Sequence, residues 1–372
     1  MKTLYLHVGT PKTGTTAVQT FLYDNKEILL KNNFIYEKMP YHYIDASDRR
    51  NAHFLFKYIY NNDRSVNKEA FEKRLAEGYE IIKGWFEKVD NVFLTDEAAW
   101  NVLNTEGRDF MPSVKSFADS VGAQVKVIIY VRRQDDYLES WYKQKIRDGL
   151  SQSTWEEVAG NIPNAIALDY YKIIRLIANT IGSENIIVRR YDRNSFAGKD
   201  GTIFSDFMEV LGLDYTDEYK LPEGKTNTSL NNNYIEIKRL LNNLYDNSIT
   251  VEKDQNPYLG GIGSLCSELD NQYDSSYFSE EERKEFLGRY KEGNDAIAKE
   301  FLGEEVLFND KTKNLPKWDP NNEYLLRDFV VFCGMALKNQ KTEIDELKKE
   351  VNRLKKLSPA YKVAGKIKNW ED

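Results

Sequence analysis

Three groups of residues in this chain have the types and spacing to do chemistry. The densest is Gly9-Thr10-Pro11-Lys12-Thr13-Gly14-Thr15-Thr16, in which two glycines bracket a lysine and are followed by further threonines. Gly9 and Gly14 admit backbone conformations closed to other residues, so successive N–H groups can turn toward one centre. A helix opening at Thr15 and Thr16 adds unpaired N–H groups and the positive end of its dipole. With Lys12 and the threonine hydroxyls, this is a pocket for a phosphate or a sulfate. The second group is Arg132 with Ser140 eight residues later; a guanidinium binds phosphate as a fork, and a hydroxyl on the following helix supplies a further donor. The third is a pair of candidate bases, His53 and Glu97. An imidazole titrates near neutral pH, which suits it to take a proton from a hydroxyl. Each residue also has a plain structural reading, as a turn former, a helix cap or a solvated surface group.

These residues are useful only if the elements around them bring them together. The apolar run 4–8 feeds the glycine loop, and Val18, Phe21 and Leu22 behind it recur at helical spacing, which predicts strand, loop and helix. Further strands are expected at 33–36, 91–95, 126–131 and 185–188, and helices over 52–60, 68–89, the segment after Arg133, 204–211 and 233–244. Strands alternating with helices predict an α/β fold with a parallel sheet of about five strands flanked by helices and a largely helical C-terminal part. Ligands of such sheets gather at the carboxyl ends of the strands, where Lys12, Glu97, Arg132 and Tyr191 all fall. Residues 252–276, rich in Gly, Ser and Asn, read as a lid loop, and 225–230 as a polar loop. Ser279-Glu280-Glu281-Glu282 reads as a helix cap.

Composition narrows the classes. The 372 residues are 41% hydrophobic and 30% charged, as in an ordinary globular chain. A net charge of −7 argues against a general nucleic-acid binder, whose footprint is basic. Three histidines and two cysteines, Cys266 and Cys333, show no metal-ligand spacing, so no metal is expected. The chain starts almost at its first strand and has no apolar run of membrane-spanning length; the expectation is a cytoplasmic protein. Residues 1–338 read as one α/β domain and 339–372 as a tail. In the tail Ile344, Leu347, Val351, Leu354 and Leu357 follow a three-four spacing, as in a short coiled coil or docking helix. Beyond Pro359, residues 361–368 form a basic end. Self-association and contact with the inner membrane face are both open for this tail.

The glycine loop differs from the nucleoside triphosphate P-loop, G-x-x-x-x-G-K-[ST]: the glycines are correctly spaced, but Thr15 stands where the lysine belongs and Lys12 sits inside the loop. Pro11-Lys12-Thr13-Gly14-Thr15-Thr16 after the first strand resembles the 5′-phosphosulfate loop of the sulfotransferases that use 3′-phosphoadenosine 5′-phosphosulfate (PAPS). Arg132 through Ser140 is similar to the 3′-phosphate motif of the same family. Val188-Arg189-Arg190-Tyr191-Asp192 looks like its fifth-strand segment, whose tyrosine lies against the adenine. Gln134 departs from the pattern, since many members have proline there. The match covers residues 1 to about 215 by motif; the remainder resembles bacterial carbohydrate sulfotransferases in layout.

The resemblance implies PAPS as cosubstrate and PAP as product, bound by Pro11, Lys12, Thr13, Gly14, Thr15, Thr16, Arg132, Ser140 and Tyr191. It also implies a hydroxyl acceptor, most naturally a carbohydrate, with Lys12 at the leaving phosphate and His53 or Glu97 as base. A P-loop kinase or NTPase with an acidic strand end at Asp96-Glu97, and a non-catalytic nucleotide-binding scaffold, are the rival readings. Trp100, Trp141 and Trp155 could line a sugar-stacking cleft, although core packing is the default for tryptophan.

Overall fold

The structure, a computed structural model, describes residues 1–44, 46–147, 149, 151–163, 166–222, 231–243, 273–309 and 314–357. Its strands are β1 (Lys2–His7), β2 (Phe34–Ile35), β3 (Asn91–Thr95), β4 (Ala123–Val131) and β5 (Ile186–Arg190). They form one sheet of order β2-β3-β1-β4-β5 in which every pairing is parallel. The helices are α1 (Thr15–Asp24), α2 (Lys26–Lys31), α3 (Lys68–Trp85), α4 (Ala98–Leu103), α5 (Met111–Ser120), α6 (Gln134–Arg147) and α7 (Trp155–Gly160). They continue with α8 (Tyr170–Ile181), α9 (Ile203–Val210), α10 (Asn232–Asn242), α11 (Glu280–Gly288), α12 (Lys291–Ile297) and α13 (Leu325–Leu357). The chain is an α/β protein with a helical C-terminal part. No helix among the described residues is long and apolar enough to cross a membrane.

Two compact units divide the chain. The first comprises Met1–Ser140, Asn161–Lys225 and Glu280–Lys313 and holds the sheet. β1 is its centre: Leu4, Leu6 and Val8 are fully buried because helices cover both faces, which is why the strand reads as a continuous apolar run instead of an alternating one. On one face Tyr5, Phe93, Ile128 and Tyr130 pack with Val18, Phe21 and Leu22 of α1 and Phe207 and Met208 of α9. On the other, α5 and α8 lie against β4, α8 through buried Ile173, Ile174, Ile177 and Ile181. Each such side chain is worth about 1.5–3 kcal/mol. Asp206 of α9 ties β4 to β5, accepting the Tyr130 hydroxyl at 2.5 Å and pairing with Arg189.

The second unit comprises Trp141–Gly160, Thr226–Ser279 and Asn314–Asp372. Its core surrounds buried Glu236 of α10, which accepts from Tyr142 at 2.8 Å, Tyr277 at 2.9 Å and Arg239 at 2.7 Å. Burial and the Glu236 charge push the Tyr142 hydroxyl far above its ordinary range. Trp155 stacks on Tyr277 at 5.1 Å and meets Tyr142 edge-on. Trp100 and Trp155 are buried, and the Trp100 indole donates to the Ala167 carbonyl, so these two tryptophans are packing residues; Trp141 is half-buried.

Several boundaries depart from the sequence expectation. Residues 52–60 are not a helix: a single 3₁₀ turn, His53–Leu55, stands there. The Asn51 side chain bonds the Phe93 carbonyl and the Thr95 N–H, and the Ala52 N–H bonds the Thr95 carbonyl, so this stretch is tied along the end of β3 and cannot coil. β4 starts at Ala123 and α3 ends at Trp85. α13 begins at Leu325 and passes without a break through positions 338 and 339. The 225–230 loop, most of the 252–276 lid loop, Leu244, Pro359 and the 361–368 end lie outside the described residues. Ser276 is described and bridges to Lys317.

His7 closes β1 with no exposed surface; its Nδ1 lies 3.1 Å from the Thr95 hydroxyl, and Tyr130 and Phe207 meet the ring edge-on. Burial pushes its pKa down from 6.5 to about 3. The unfolded chain therefore binds a proton below pH 6.5 that the folded chain refuses, so stability is full above that value and falls with pH down to about 3. Urea unfolding should lose about 2 kcal/mol from this group between pH 7 and pH 5. His7→Asn should remove that portion of the slope; an unchanged slope would assign the acid sensitivity elsewhere.

Candidate functional site

The loop after β1 is built before any ligand is considered. The Val8 N–H bonds the Ile128 carbonyl, the Thr10 hydroxyl donates to the Tyr130 carbonyl at 2.8 Å, and the Thr13 hydroxyl donates to the Thr10 carbonyl at 2.6 Å. β4 therefore holds the loop at two points. Thr10 and Thr13 are fully buried, so the Thr13 hydroxyl serves the loop itself. Pro11, Lys12 and Gly14 are half-buried, and Thr16 is exposed on the first turn of α1. Lys12 and Gly14 both take left-handed backbone angles, φ 69° and 73°. No side chain caps α1, so its first-turn N–H groups remain donors for an anion or for water.

Both glycines are required by close approach. A Cβ on Gly9 would sit 2.8 Å from Thr15 Oγ1 and 3.4 Å from His7 Nε2; on Gly14 it would sit 2.9 Å from Ile203 Cδ1 and 3.1 Å from Tyr191 Cε2. Thr15 is 2% exposed and its hydroxyl finds no hydrogen-bond partner among the described residues. A buried hydroxyl left without a partner costs about 1–3 kcal/mol. Thr15 stands at the head of an uncapped helix.

The carboxyl ends of β4 and β5 meet this loop. Arg132 Nη1 donates to the Lys12 carbonyl at 3.3 Å, and its guanidinium lies 5.9 Å from the centre of the Tyr191 ring. The Tyr191 N–H extends the β4–β5 ladder by bonding the Val131 carbonyl at 2.7 Å, and the Tyr170 hydroxyl bonds the Arg132 carbonyl at 2.6 Å. Lys12, Gly14, Arg132 and Tyr191 are thus brought to one place. Arg132 has no ion pair among the described residues, whereas the neighbouring Arg133 is bound to Asp135 at 2.7 Å. Ser140 is half-buried on α6, about 9 Å of helical rise beyond Gln134, and its hydroxyl bonds neither Arg132 nor the loop among the described residues. Gln134 is the first residue of α6, a position that proline favours but that does not require it. Its amide is held by Asn294 at 2.8 and 3.1 Å, so the departure from proline leaves the helix start intact.

The two candidate bases sit beyond β3 in different company. His53 Nδ1 lies 2.7 Å from Asp96 Oδ2, with both residues buried. Asp96 Oδ1 accepts the Ala98 N–H at 2.8 Å, and Tyr43 and Phe56 meet the imidazole edge-on. A carboxylate on Nδ1 selects the tautomer whose Nε2 carries the lone pair. Glu97 is instead bound through its carboxylate by Arg50, which also lies 4.0 Å from Asp96. The Glu97 carboxylate is thus already engaged by a guanidinium. Arg50 and Asn51 are neighbours of these groups that motif reading missed, and Asp96, read from the sequence only as part of an acidic strand end, is the partner of His53.

No family model matches the sequence. The chain is similar to an uncharacterized protein of Archaeoglobus fulgidus, 30% identical over 184 residues. The shared stretch is 48% of this chain, which spans 46% of the archaeal protein's length.

The packing at Gly14 makes a prediction that Gly107 controls. Both have φ near 70°, but a Cβ on Gly107 meets nothing within 4 Å. Gly107→Ala should cost only backbone strain, about 1 kcal/mol in urea unfolding. Gly14→Ala should cost at least about 1 kcal/mol more, because Tyr191 and Ile203 must move as well. Equal costs would show that Tyr191 does not rest on the loop.

Proposed function

We propose that the chain is a PAPS-dependent sulfotransferase acting on a hydroxyl group, with a carbohydrate as the favoured acceptor class and a cytoplasmic setting as part of the same reading. The observation that carries it is the convergence of the Lys12 loop, Arg132 and Tyr191 across the ends of β1, β4 and β5, with the Arg132 guanidinium bonded to the Lys12 carbonyl. The residues present suit such a nucleotide. The uncapped α1 terminus and the buried Thr15 hydroxyl suit the 5′ oxyanions, and Arg132, with no ion pair among the described residues, suits a 3′-phosphate. Ser140 stands on the following helix as a second donor for that phosphate, and Tyr191 offers a ring face to the adenine.

PAPS supplies an activated sulfuryl group. The chain's own part is orientation, charge and a proton acceptor. Lys12 and the loop N–H groups place positive charge where the phosphate oxygen becomes an anion, the region where preorganised donors are worth most. His53, oriented by Asp96, takes the proton of the acceptor hydroxyl on Nε2, as an imidazole held by a carboxylate does in other sites. The Arg50–Glu97 pair favours His53 over Glu97 in that role.

Against a kinase or NTPase reading stands Thr15, whose short, buried side chain occupies the place of the P-loop lysine. Asp96, at the acidic strand end, is engaged by His53 and the Ala98 N–H.

Calorimetry should find adenosine 3′,5′-bisphosphate bound more tightly than adenosine 5′-monophosphate. Arg132→Ala should remove about 1.5–3 kcal/mol of that preference, the scale of a charged hydrogen bond. Equal affinity of the wild type for both nucleotides would overturn the Arg132 and Ser140 assignment. With labelled PAPS and a panel of glycans, His53→Ala should lower transfer by about 10²-fold or more while nucleotide affinity stays near wild type. Glu97→Gln should keep most activity; a dead Glu97→Gln beside an active His53→Ala would move the base to Glu97.

A further inference from the structure

The exposed apolar residues of α13 are not scattered. Leu326, Phe329, Val330, Leu337, Ile344, Leu347, Val351 and Leu354 are all between 46% and 73% exposed. With Val330 taken as heptad position a, Leu337, Ile344 and Val351 are also a, while Leu326, Cys333, Gln340, Leu347 and Leu354 are d; Phe329 is the flanking g. The side of α13 that packs within its own unit is the opposite one. Asp328, at f, accepts from Asn233 of α10 at 2.9 Å, and Phe332, at c, is 1% exposed against Tyr234. One face is therefore used inside the chain, and the a/d seam is left facing outward over a helix about 50 Å long.

The charges beside the seam name what covers it. The e positions from Lys341 onward are Lys341, Lys348 and Lys355, and the g positions are Glu343 and Glu350. In a parallel pair of identical helices, g of one faces the next e of the other, so Glu343 meets Lys348 and Glu350 meets Lys355, each pair formed twice by symmetry. In an antiparallel pair e faces e and g faces g, setting lysine against lysine and glutamate against glutamate. β-Branched Val and Ile at three a positions, with Leu at the last d positions, suit two strands over three or four. Gln340 at d is a polar residue of the kind that pins register. Within one chain Lys341 pairs with Asp345 at 3.1 Å and Glu350 with Arg353 at 2.7 Å; exposed pairs of this kind are weak and readily exchanged.

We propose that α13 is a homodimerisation helix that forms a parallel, in-register two-stranded coiled coil with a second copy of this chain. The inference is independent of the reaction assigned to the sheet.

The test is sedimentation equilibrium of the full-length protein. The wild type should have twice the 43.4 kDa chain mass, and Ile344→Asp combined with Leu347→Asp should have the single-chain mass. Lys348→Glu with Lys355→Glu should weaken association by about tenfold or more, since it turns the g–e pairs from attractive to repulsive. Adding Glu343→Lys and Glu350→Lys to that variant should restore the dimer. A monomeric wild type at tens of micromolar would overturn the proposal. So would a lysine-to-glutamate variant that dimerises as the wild type does, the antiparallel result. Flotation of a monomeric wild type with phosphatidylserine vesicles, abolished by the same lysine substitutions, would assign the seam to a membrane surface instead.

Discussion

β1 is hydrogen-bonded along both edges, to β3 on one side and β4 on the other, and the candidate site depends on that placement. A strand with two parallel neighbours delivers its carboxyl end between theirs, so the glycine loop emerges beside Arg132 just beyond β4 on one flank and Asp96 beyond β3 on the other. The sheet order reverses about β1, and such a point leaves a crevice for a ligand. The short side chains around the loop are needed for the same reason. Gly9 and Gly14 are crowded by Thr15 of α1, His7 of β1, Tyr191 just beyond β5 and Ile203 of α9, so the loop can pass between these side chains only because neither position carries a Cβ.

Behind the loop lies a set of buried polar groups that trade among themselves. Gln19 of α1 donates to the Thr95 hydroxyl, which contacts His7, and the next residue, Asp96, receives His53. Burial without charge compensation keeps His7 neutral. His53, in contrast, has a carboxylate within hydrogen-bond reach, so the two histidines beside one strand end have different surroundings. Asn51 makes this possible by docking a loop onto β3 through side-chain bonds that imitate a strand partner.

The second unit solves a different problem. Its core contains a carboxylate, Glu236, that is held by two tyrosine hydroxyls and a guanidinium, an arrangement in which any slip leaves a buried carboxylate without its partners. α13 is anchored to this unit through polar contacts at Asp328 and an aromatic one at Phe332. The division of one helix into an anchored face and an outward apolar seam follows from its length and its heptad phase.

The local features that depend on neighbouring residues were legible in the sequence. The alternation of strands and helices and the glycine loop at the end of the first strand are short-range patterns, set by backbone preference and periodicity, whereas the Arg132–Ser140 pair stood out only by resemblance to a family motif. Tertiary structure decided what those patterns could not carry. Residues 52–60 had helical spacing, yet bonds from Asn51 and Ala52 to β3, more than forty positions away, turned them into a docked turn. Residue type set His53 apart from Glu97 only by its titration near neutral pH; the surroundings of each, Asp96 beside His53 and Arg50 beside Glu97, are visible only in the fold. The tail seemed only two heptads long because its first half is also a packing helix, and periodicity alone cannot tell a face buried within the chain from one left outside. In each case the deciding interaction joins residues distant in the chain, and the energies of hydrogen bonding, ion pairing and burial depend on which groups meet in space.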